Sequence, residues 1–167
     1  MPVRDDARYV EFVAANQQRL RRIAYLMTGD WQVAAAATQE ALVRVYVEWP
    51  RAVRAGALAT CARQSLVAAV AELAPAGTAA PAWADEPDTD RQVVVRALAR
   101  LPLEQRQCLV LRFYDSLALD DCAAVLGCET AEVRARTAEG LVALRRELSR
   151  QGFDDMPLFS QQLEGVR

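Results

Sequence analysis

A stretch rich in proline, alanine and acidic residues divides the chain into two blocks. Residues 74–90 contain three Pro, one Gly and four acidic side chains. Proline lacks the N–H that the interior of a helix needs, and a segment of this composition buries little apolar surface. We therefore expect a linker, or a long surface loop, at 74–90.

Both blocks show the spacing of amphipathic helices. In the first block, apolar residues recur every three or four positions, as at Leu20, Ile23 and Met27. Neither block has a run that alternates strictly between apolar and polar residues, as a half-buried strand would. The pattern predicts an all-α protein with two small helical domains, at 5–73 and 91–149.

The ends of the helices in the first block are marked by residues that terminate or cap helices. Gly29 suits a left-handed C-cap, and Asp30 can cap the helix that follows. We predict that the second helix covers about 31–48 and ends before Pro50, because proline cannot continue it. A third helix is expected at about 57–73.

The second block has the order of a helix-turn-helix. We expect a helix that stops at Pro102, a second helix that follows it, and a turn at 114–116. A short helix at 119–126 should end at Gly127, and Thr130 should be the N-cap of a longer helix that contains arginine. Both a DNA-binding helix-turn-helix and a simple helical hairpin fit this pattern.

The composition excludes several kinds of catalytic and metal site. All twenty basic residues are arginine, and the chain has no histidine, which excludes histidine-dependent triads and zinc sites with histidine ligands. No C-x-x-C pair occurs, and each cysteine falls at or beside an apolar helical position, so we interpret all four as buried structural thiols. Their positions are Cys61, Cys108, Cys122 and Cys128. We expect no enzyme activity, no metal and no cofactor.

The localisation expected from the sequence is cytoplasmic. No run of 18 apolar residues is present, and the first residues lack the apolar core of a signal peptide. The two blocks carry a slight excess of positive charge, whereas 74–90 and the tail at 150–167 are acidic. Such a distribution is at best a weak indication of nucleic-acid binding.

The second block resembles the promoter-reading domain of a known family. The segments in register are Leu101-Pro102, Leu111-Arg112-Phe113, Leu126-Gly127-Cys128, Val133-Arg134 and Leu144-Arg145. The first block resembles the N-terminal domain of the same family, through Tyr25-Leu26, Thr28-Gly29-Asp30, Gln39-Glu40-Ala41, Arg44-Val45-Tyr46 and Thr60-Cys61-Ala62-Arg63. The family is that of the extracytoplasmic-function (group four) sigma factors of RNA polymerase, and the resemblance is to the actinobacterial type.

The resemblance implies a mechanism and a set of site residues. The domain at 5–73 would bind the clamp helices of core RNA polymerase, through Gln39, Glu40 and Arg44, and open the downstream promoter element. The helix-turn-helix domain at 91–149 would read the upstream element in the major groove. The DNA-binding residues implied are Arg63 in the first domain and Arg134 and Arg136 in the second.

Several positions depart from the family pattern; the first predicts weak binding to the polymerase clamp, and the others predict weak DNA binding. The usual acidic residues before the Gln-Glu pair are replaced by uncharged Ala34–Ala37. The cations that normally follow Arg63 are replaced by Ala71-Glu72, which removes phosphate contacts. Three carboxylates, those of Glu129, Glu132 and Glu139, lie on or near the presumed recognition helix.

Two functions therefore follow from the sequence. One is a sigma factor that binds core RNA polymerase and, weakly, promoter DNA. The other is a sigma-like protein that has lost promoter recognition, and acts as a decoy for an anti-sigma factor or as a partner of another transcription regulator. The acidic and apolar tail at 150–167 would either dock on a partner or its own domain, or fray. No membrane partner is expected.

Overall fold

The computed structural model describes residues 3–74 and 90–153, and these residues contain helices and no strand. The helices are α1 (Val3–Thr28), α2 (Trp31–Arg54), α3 (Leu58–Leu73), α4 (Asp90–Ala99), α5 (Leu103–Leu109), α6 (Leu119–Leu126) and α7 (Thr130–Arg150). Helix α5 continues into a π-helical turn at Val110–Tyr114. None of the helices in the described ranges has the length and apolar character needed to cross a membrane. The all-α prediction is confirmed, while most of the predicted linker and tail (75–89 and 154–167) lie outside the described residues.

The junction between α1 and α2 is formed by the two residues that the sequence indicates. Gly29 adopts a left-handed conformation with φ of +73°, and its N–H donates to the carbonyl of Tyr25 at 2.7 Å. A carboxylate oxygen of Asp30 accepts hydrogen bonds from the N–H groups of Gln32 at 2.6 Å and Val33 at 3.1 Å. Both predicted caps are confirmed, and they set the turn that packs α2 back against α1.

The predicted end of α2 before Pro50 is wrong, because the helix continues to Arg54. A proline inside a helix costs about 3 kcal/mol. The neighbouring Trp49 is buried, and its ring packs edge-on against Tyr9 at 5.3 Å and Phe12 at 5.6 Å. Burial of this large side chain offsets the cost of the proline, while the Pro50 ring lies on the exposed side of the helix.

Helices α1–α3 and α4–α7 form two groups that share one hydrophobic core. Helix α1 packs against α4, α5 and the π-helical turn, and α3 packs against α6. Met27 in α1 and Leu111 in the π-helical turn are both completely buried in the same cluster. The described helices of the two predicted domains are therefore in extensive contact, and their division at 74–90 stays a prediction.

A buried arginine connects two helix ends and the α4–α5 connection across the two groups. Arg106, in α5, donates hydrogen bonds to the carbonyls of Met27 at 2.6 Å, Ala99 at 2.8 Å and Leu101 at 2.7 Å. Met27 lies in the last turn of α1 and Ala99 is the last residue of α4, so these carbonyls have no partner within their own helices. Burial lowers the pKa of Arg106 to about 10, which leaves the guanidinium charged at neutral pH. A cation at two helix C-termini is also favoured by the helix dipoles.

We expect Arg106→Ala to lower the free energy of unfolding by about 3 kcal/mol, because it leaves buried carbonyl groups without donors. Urea unfolding followed by circular dichroism measures this loss. The matched control is Arg100→Ala, whose side chain is 67% exposed and only 4.0 Å from Glu147. It should change stability by less than about 0.5 kcal/mol. Equal effects of the two substitutions would contradict the role of Arg106.

Candidate nucleic-acid interface

Helices α6 and α7 form the predicted helix-turn-helix. Gly127 ends α6 in a left-handed conformation with φ of +66°, as the sequence indicates. The prediction that Thr130 is the N-cap of α7 is wrong, because Glu129 takes that position and Thr130 begins the helix. The Thr130 hydroxyl donates to the Asp120 carboxylate at 2.9 Å, since a carboxylate is a stronger acceptor than a neutral group. This bond connects the first turns of α6 and α7.

The two arginines predicted to contact DNA from α7 are in different states. Arg134 is exposed at the start of the helix. Arg136 is half-buried and forms an ion pair with Glu132, one turn away, at 2.5 Å. The guanidinium of Arg136 is therefore already neutralised within its own helix, and Arg134 is the more available of the two for a groove or phosphate contact.

The three carboxylates on or near α7 differ in the partners that they have in the structure. Glu132 is paired with Arg136, and Glu139 accepts a hydrogen bond from the Gln105 side chain at 3.2 Å. Glu129, at the N-cap, is exposed where a negative charge favours the helix dipole. Of the three acids, only Glu132 is neutralised by a cation, and Glu129 and Glu139 keep their negative charges near the presumed DNA surface.

The residues predicted to bind polymerase lie together on the outer side of α2. Gln39 and Glu40 are exposed, and Arg44 forms ion pairs with Glu40 at 3.1 Å and with Glu72 of α3 at 2.6 Å. The hydrogen bonds from Arg44 hold the pKa of Glu72 below its usual range. Glu72 is thus neutralised by Arg44 and does not act as a free anion on α3, the helix that carries the predicted DNA contact Arg63.

Sequence reasoning missed the apolar part of this α2 surface. Val43 and Val47 are 58% and 70% exposed, and they follow Glu40 at spacings of three and seven residues, on the same side of the helix. The sequence did contain a signal for this surface, because valine occupies positions where the helical pattern predicts exposed, polar residues. We call the side chains of Gln39, Glu40, Val43 and Val47 the α2 face.

The alanine stretch that replaces the usual acidic residues before the α2 face is partly in the core. Ala34 and Ala37 are completely buried, and Ala36 is exposed. The buried pair therefore belongs to the core and not to the surface of α2. Small side chains are needed there because α2 packs closely against its neighbours in the core.

Arg63, the predicted DNA contact of the first block, is covered by the second group of helices. Its side chain is 17% exposed, and its Nε donates to the carboxylate of Asp115. Arg19 of α1 donates to the same carboxylate from Nε at 2.8 Å. The neighbouring Gln64 donates to the carbonyl of Ala124 in α6 at 2.9 Å. The structure thus brings Arg63 together with Arg19 and Asp115, and not with the arginines of α7.

The π-helical turn explains why Asp115 points into the structure. The N–H of Asp115 donates to the carbonyl of Val110, five residues earlier, at 3.0 Å. This widened turn accommodates one more residue than an α-helical turn, and Ser116 then reverses the chain with φ of +59°. The Asp115 side chain is completely buried. We call Arg19, Arg63 and Asp115 the Asp115 cluster; the sequence indicated only a turn at this point.

The four cysteines do not form a metal site. Among the described residues, no group of three or more His, Cys, Asp or Glu side chains is placed to bind a metal ion. Cys108 and Cys122 are buried, and Cys61 and Cys128 are half-buried, all as free thiols, so the prediction of four buried thiols is wrong for the second pair. Burial raises the pKa of Cys108 to about 11 and that of Cys122 to about 12. These values are typical of inert structural thiols.

Comparison with known proteins gives matches to sigma factors. Residues 91–144, from α4 into α7, match the family model described as Sigma-70, region 4. Among solved structures, the chain is similar to the sigma factor RpoE, seen in complex with the anti-sigma factor NepR from Bartonella quintana. The TM-score is 0.63 at 18% sequence identity, over 84% of this chain and 96% of that one, which shows a shared fold. Comparison with curated proteins gave no match.

We expect the four thiols to react in two classes at pH 8. A thiol reacts as its thiolate, so the raised pKa values should leave Cys108 and Cys122 almost unreactive in the folded chain. Cys61 and Cys128 should be modified first. Mass spectrometry of peptides after brief treatment with iodoacetamide measures the order, and early modification of Cys108 or Cys122 would contradict it.

Proposed function

We propose that this chain is a transcription initiation factor of the sigma type, which binds core RNA polymerase in the cytoplasm and directs it to promoters. The observation that supports this most strongly is the match of residues 91–144 to sigma-70 region 4, at a segment that contains a helix-turn-helix. The shared fold with a solved sigma factor extends the support to α1–α3. In this proposal, the chain acts by binding polymerase and promoter DNA and catalyses no reaction of its own.

In this proposal, α7 enters the major groove of the upstream promoter element. Arg134 is exposed on the first turns and is suited to a guanine edge or a phosphate. Arg136 can contribute only if it leaves Glu132, which makes its contact weaker. Arg63 can reach the downstream element only when the Asp115 cluster is broken. Promoter binding by the free chain should therefore be weak.

Core RNA polymerase would bind the α2 face. Its centre is apolar, at Val43 and Val47, and Gln39 and Glu40 provide polar groups at one end. Arg44 would fix the Glu40 carboxylate in place through their 3.1 Å ion pair. A small apolar centre with polar groups beside it is typical of protein interfaces.

A sigma-like protein without promoter recognition is the second candidate. The state of the three predicted DNA-binding arginines favours it, because Arg63 and Arg136 are both engaged with carboxylates of the same chain. In that case the chain would act through an anti-sigma factor or another regulatory protein. The solved RpoE is itself bound to an anti-sigma factor, which supports a partner of that kind.

We expect Glu40→Arg to weaken binding to actinobacterial core RNA polymerase roughly tenfold, about 1.4 kcal/mol, because it reverses a charge at the edge of the α2 face. Surface plasmon resonance with immobilised core enzyme measures the dissociation constant. Glu11→Arg makes the same charge change at an exposed site on α1 and should bind like the native chain. Equal affinities for all three proteins would place the polymerase contact elsewhere.

We expect Arg134→Ala to weaken binding of the chain–polymerase complex to its preferred duplex by roughly 1–3 kcal/mol, since a base contact is lost. The duplex is found by selection from a random-sequence pool and then titrated at several salt concentrations. Arg100→Ala removes the same charge from an exposed site just after α4 and should bind normally. Failure of the pool to yield any preferred sequence would contradict promoter reading and favour the second candidate.

A further inference from the structure

The Asp115 cluster joins both helix groups through one buried carboxylate. Arg19 of α1 contacts one carboxylate oxygen, at 2.8 Å from Nε and 2.5 Å from a terminal nitrogen, and Arg63 of α3 contacts the other. Arg19 also donates to the Asp115 backbone carbonyl at 3.3 Å. These residues are 96 and 52 positions from Asp115, so the cluster depends entirely on the contact between the two groups.

The two arginines are arranged as they would be around a phosphate. Two guanidinium groups that converge on a pair of anionic oxygens are the usual means by which proteins bind phosphate groups. Here the pair of oxygens is supplied by Asp115 of the same chain. If the π-helical turn moves away, Arg19 and Arg63 would be left side by side with no anion between them.

The surroundings of Arg19 are suited to a nucleic-acid strand. An open groove beside it is lined by Gln18, Arg19, Arg22 and Tyr114. Tyr114 is 45% exposed, and the Arg19 side chain is 55% exposed even in the cluster. Arginines that follow the backbone, together with an exposed aromatic ring on which a base can stack, are typical of surfaces that bind single strands.

We propose that Arg19 and Arg63 form a phosphate-binding site for single-stranded DNA, and that Asp115 occupies this site in the closed arrangement of the two helix groups. The inference rests on the proposed function for one point only, which is that the ligand is DNA. Asp115 and a phosphate compete for the same two guanidinium groups. Separation of α6 and the π-helical turn from α3 therefore favours binding of the strand, and binding of the strand favours this separation. Arg19 is thereby assigned a DNA contact that the sequence did not indicate.

The test compares two substitutions that remove one negative charge each from the second helix group. Asp115→Asn preserves the side-chain volume but removes the charge that competes with phosphate. Asp121→Asn, at an exposed site on α6, is the matched control. The probe is a fluorescent single-stranded DNA of 20 nucleotides and mixed sequence, titrated with the full chain by anisotropy at several salt concentrations.

We expect Asp115→Asn to bind the strand roughly tenfold more tightly than the native chain, and Asp121→Asn to bind like the native chain. Arg19→Ala in the Asp115→Asn background should abolish most of this gain in affinity. It should also make the binding constant depend less steeply on salt concentration, by the equivalent of about one phosphate contact. Equal binding by the Asp115 and Asp121 variants would overturn the inference. A gain that persists without Arg19 would overturn it as well.

Gln64→Ala provides an independent variant in case Asp115→Asn does not fold, as judged by circular dichroism. It removes only the exposed hydrogen bond between α3 and α6, and should raise strand affinity about twofold because it weakens closure. No increase in this variant would then overturn the inference. The duplex experiment with Arg134→Ala is independent of these results. Its failure contradicts promoter reading alone, whereas failure of the strand experiment contradicts only the phosphate site.

Discussion

A guanidinium group can be buried only where acceptors surround it, and the position of Arg106 therefore fixes the ends of α1 and α4 and the connection that follows α4. Its acceptors are the carbonyls of Met27, Ala99 and Leu101, which close α1 and the connection from α4 to α5. Displacement of α1 from α5 would leave the buried Met27 carbonyl without its donor and would remove one of the three acceptors of the Arg106 cation. The common core of the two helix groups is built around this contact, and the Asp115 cluster lies beyond it at the same junction of α1 with the second group.

The second constraint is that the chain pairs many of its arginines with its own acids. Arg44 pairs with Glu72, Arg136 pairs with Glu132, and Asp115 pairs with two arginines. From the sequence alone, Glu72 and Glu132 appear only as negative charges that weaken a DNA-binding surface. In the folded chain they neutralise particular cations, and one of these pairings crosses between the helix groups. In the proposed account, the contact between the two helix groups therefore limits DNA binding as much as the lack of cations after Arg63 does.

The parts of the fold that the sequence predicts are those decided by neighbouring residues. The helical class, the cap at Gly29 and Asp30 and the end of α6 at Gly127 all follow from local chemistry, and all are confirmed. The prediction for Pro50 is wrong because packing of the adjacent Trp49 outweighs a local preference.

What the sequence could not predict depends on contacts between distant residues. Arg106 and Met27 are 79 positions apart, and Arg19 and Asp115 are 96 apart. No periodic pattern indicates which buried charge meets which partner. The candidate residues on α2 and α7 could be identified from the resemblance, whereas the Asp115 cluster required the fold.

The central claim is that the free chain is closed, with the two helix groups sharing one core and Arg63 covered. The most direct test is the distribution of distances between dyes attached to unnatural amino acids at Arg54 and Arg145, both exposed and in different groups. Single-molecule energy transfer on the native chain without partners should give one narrow distribution. A broad distribution, as expected for two groups that move independently about 74–90, would contradict the account.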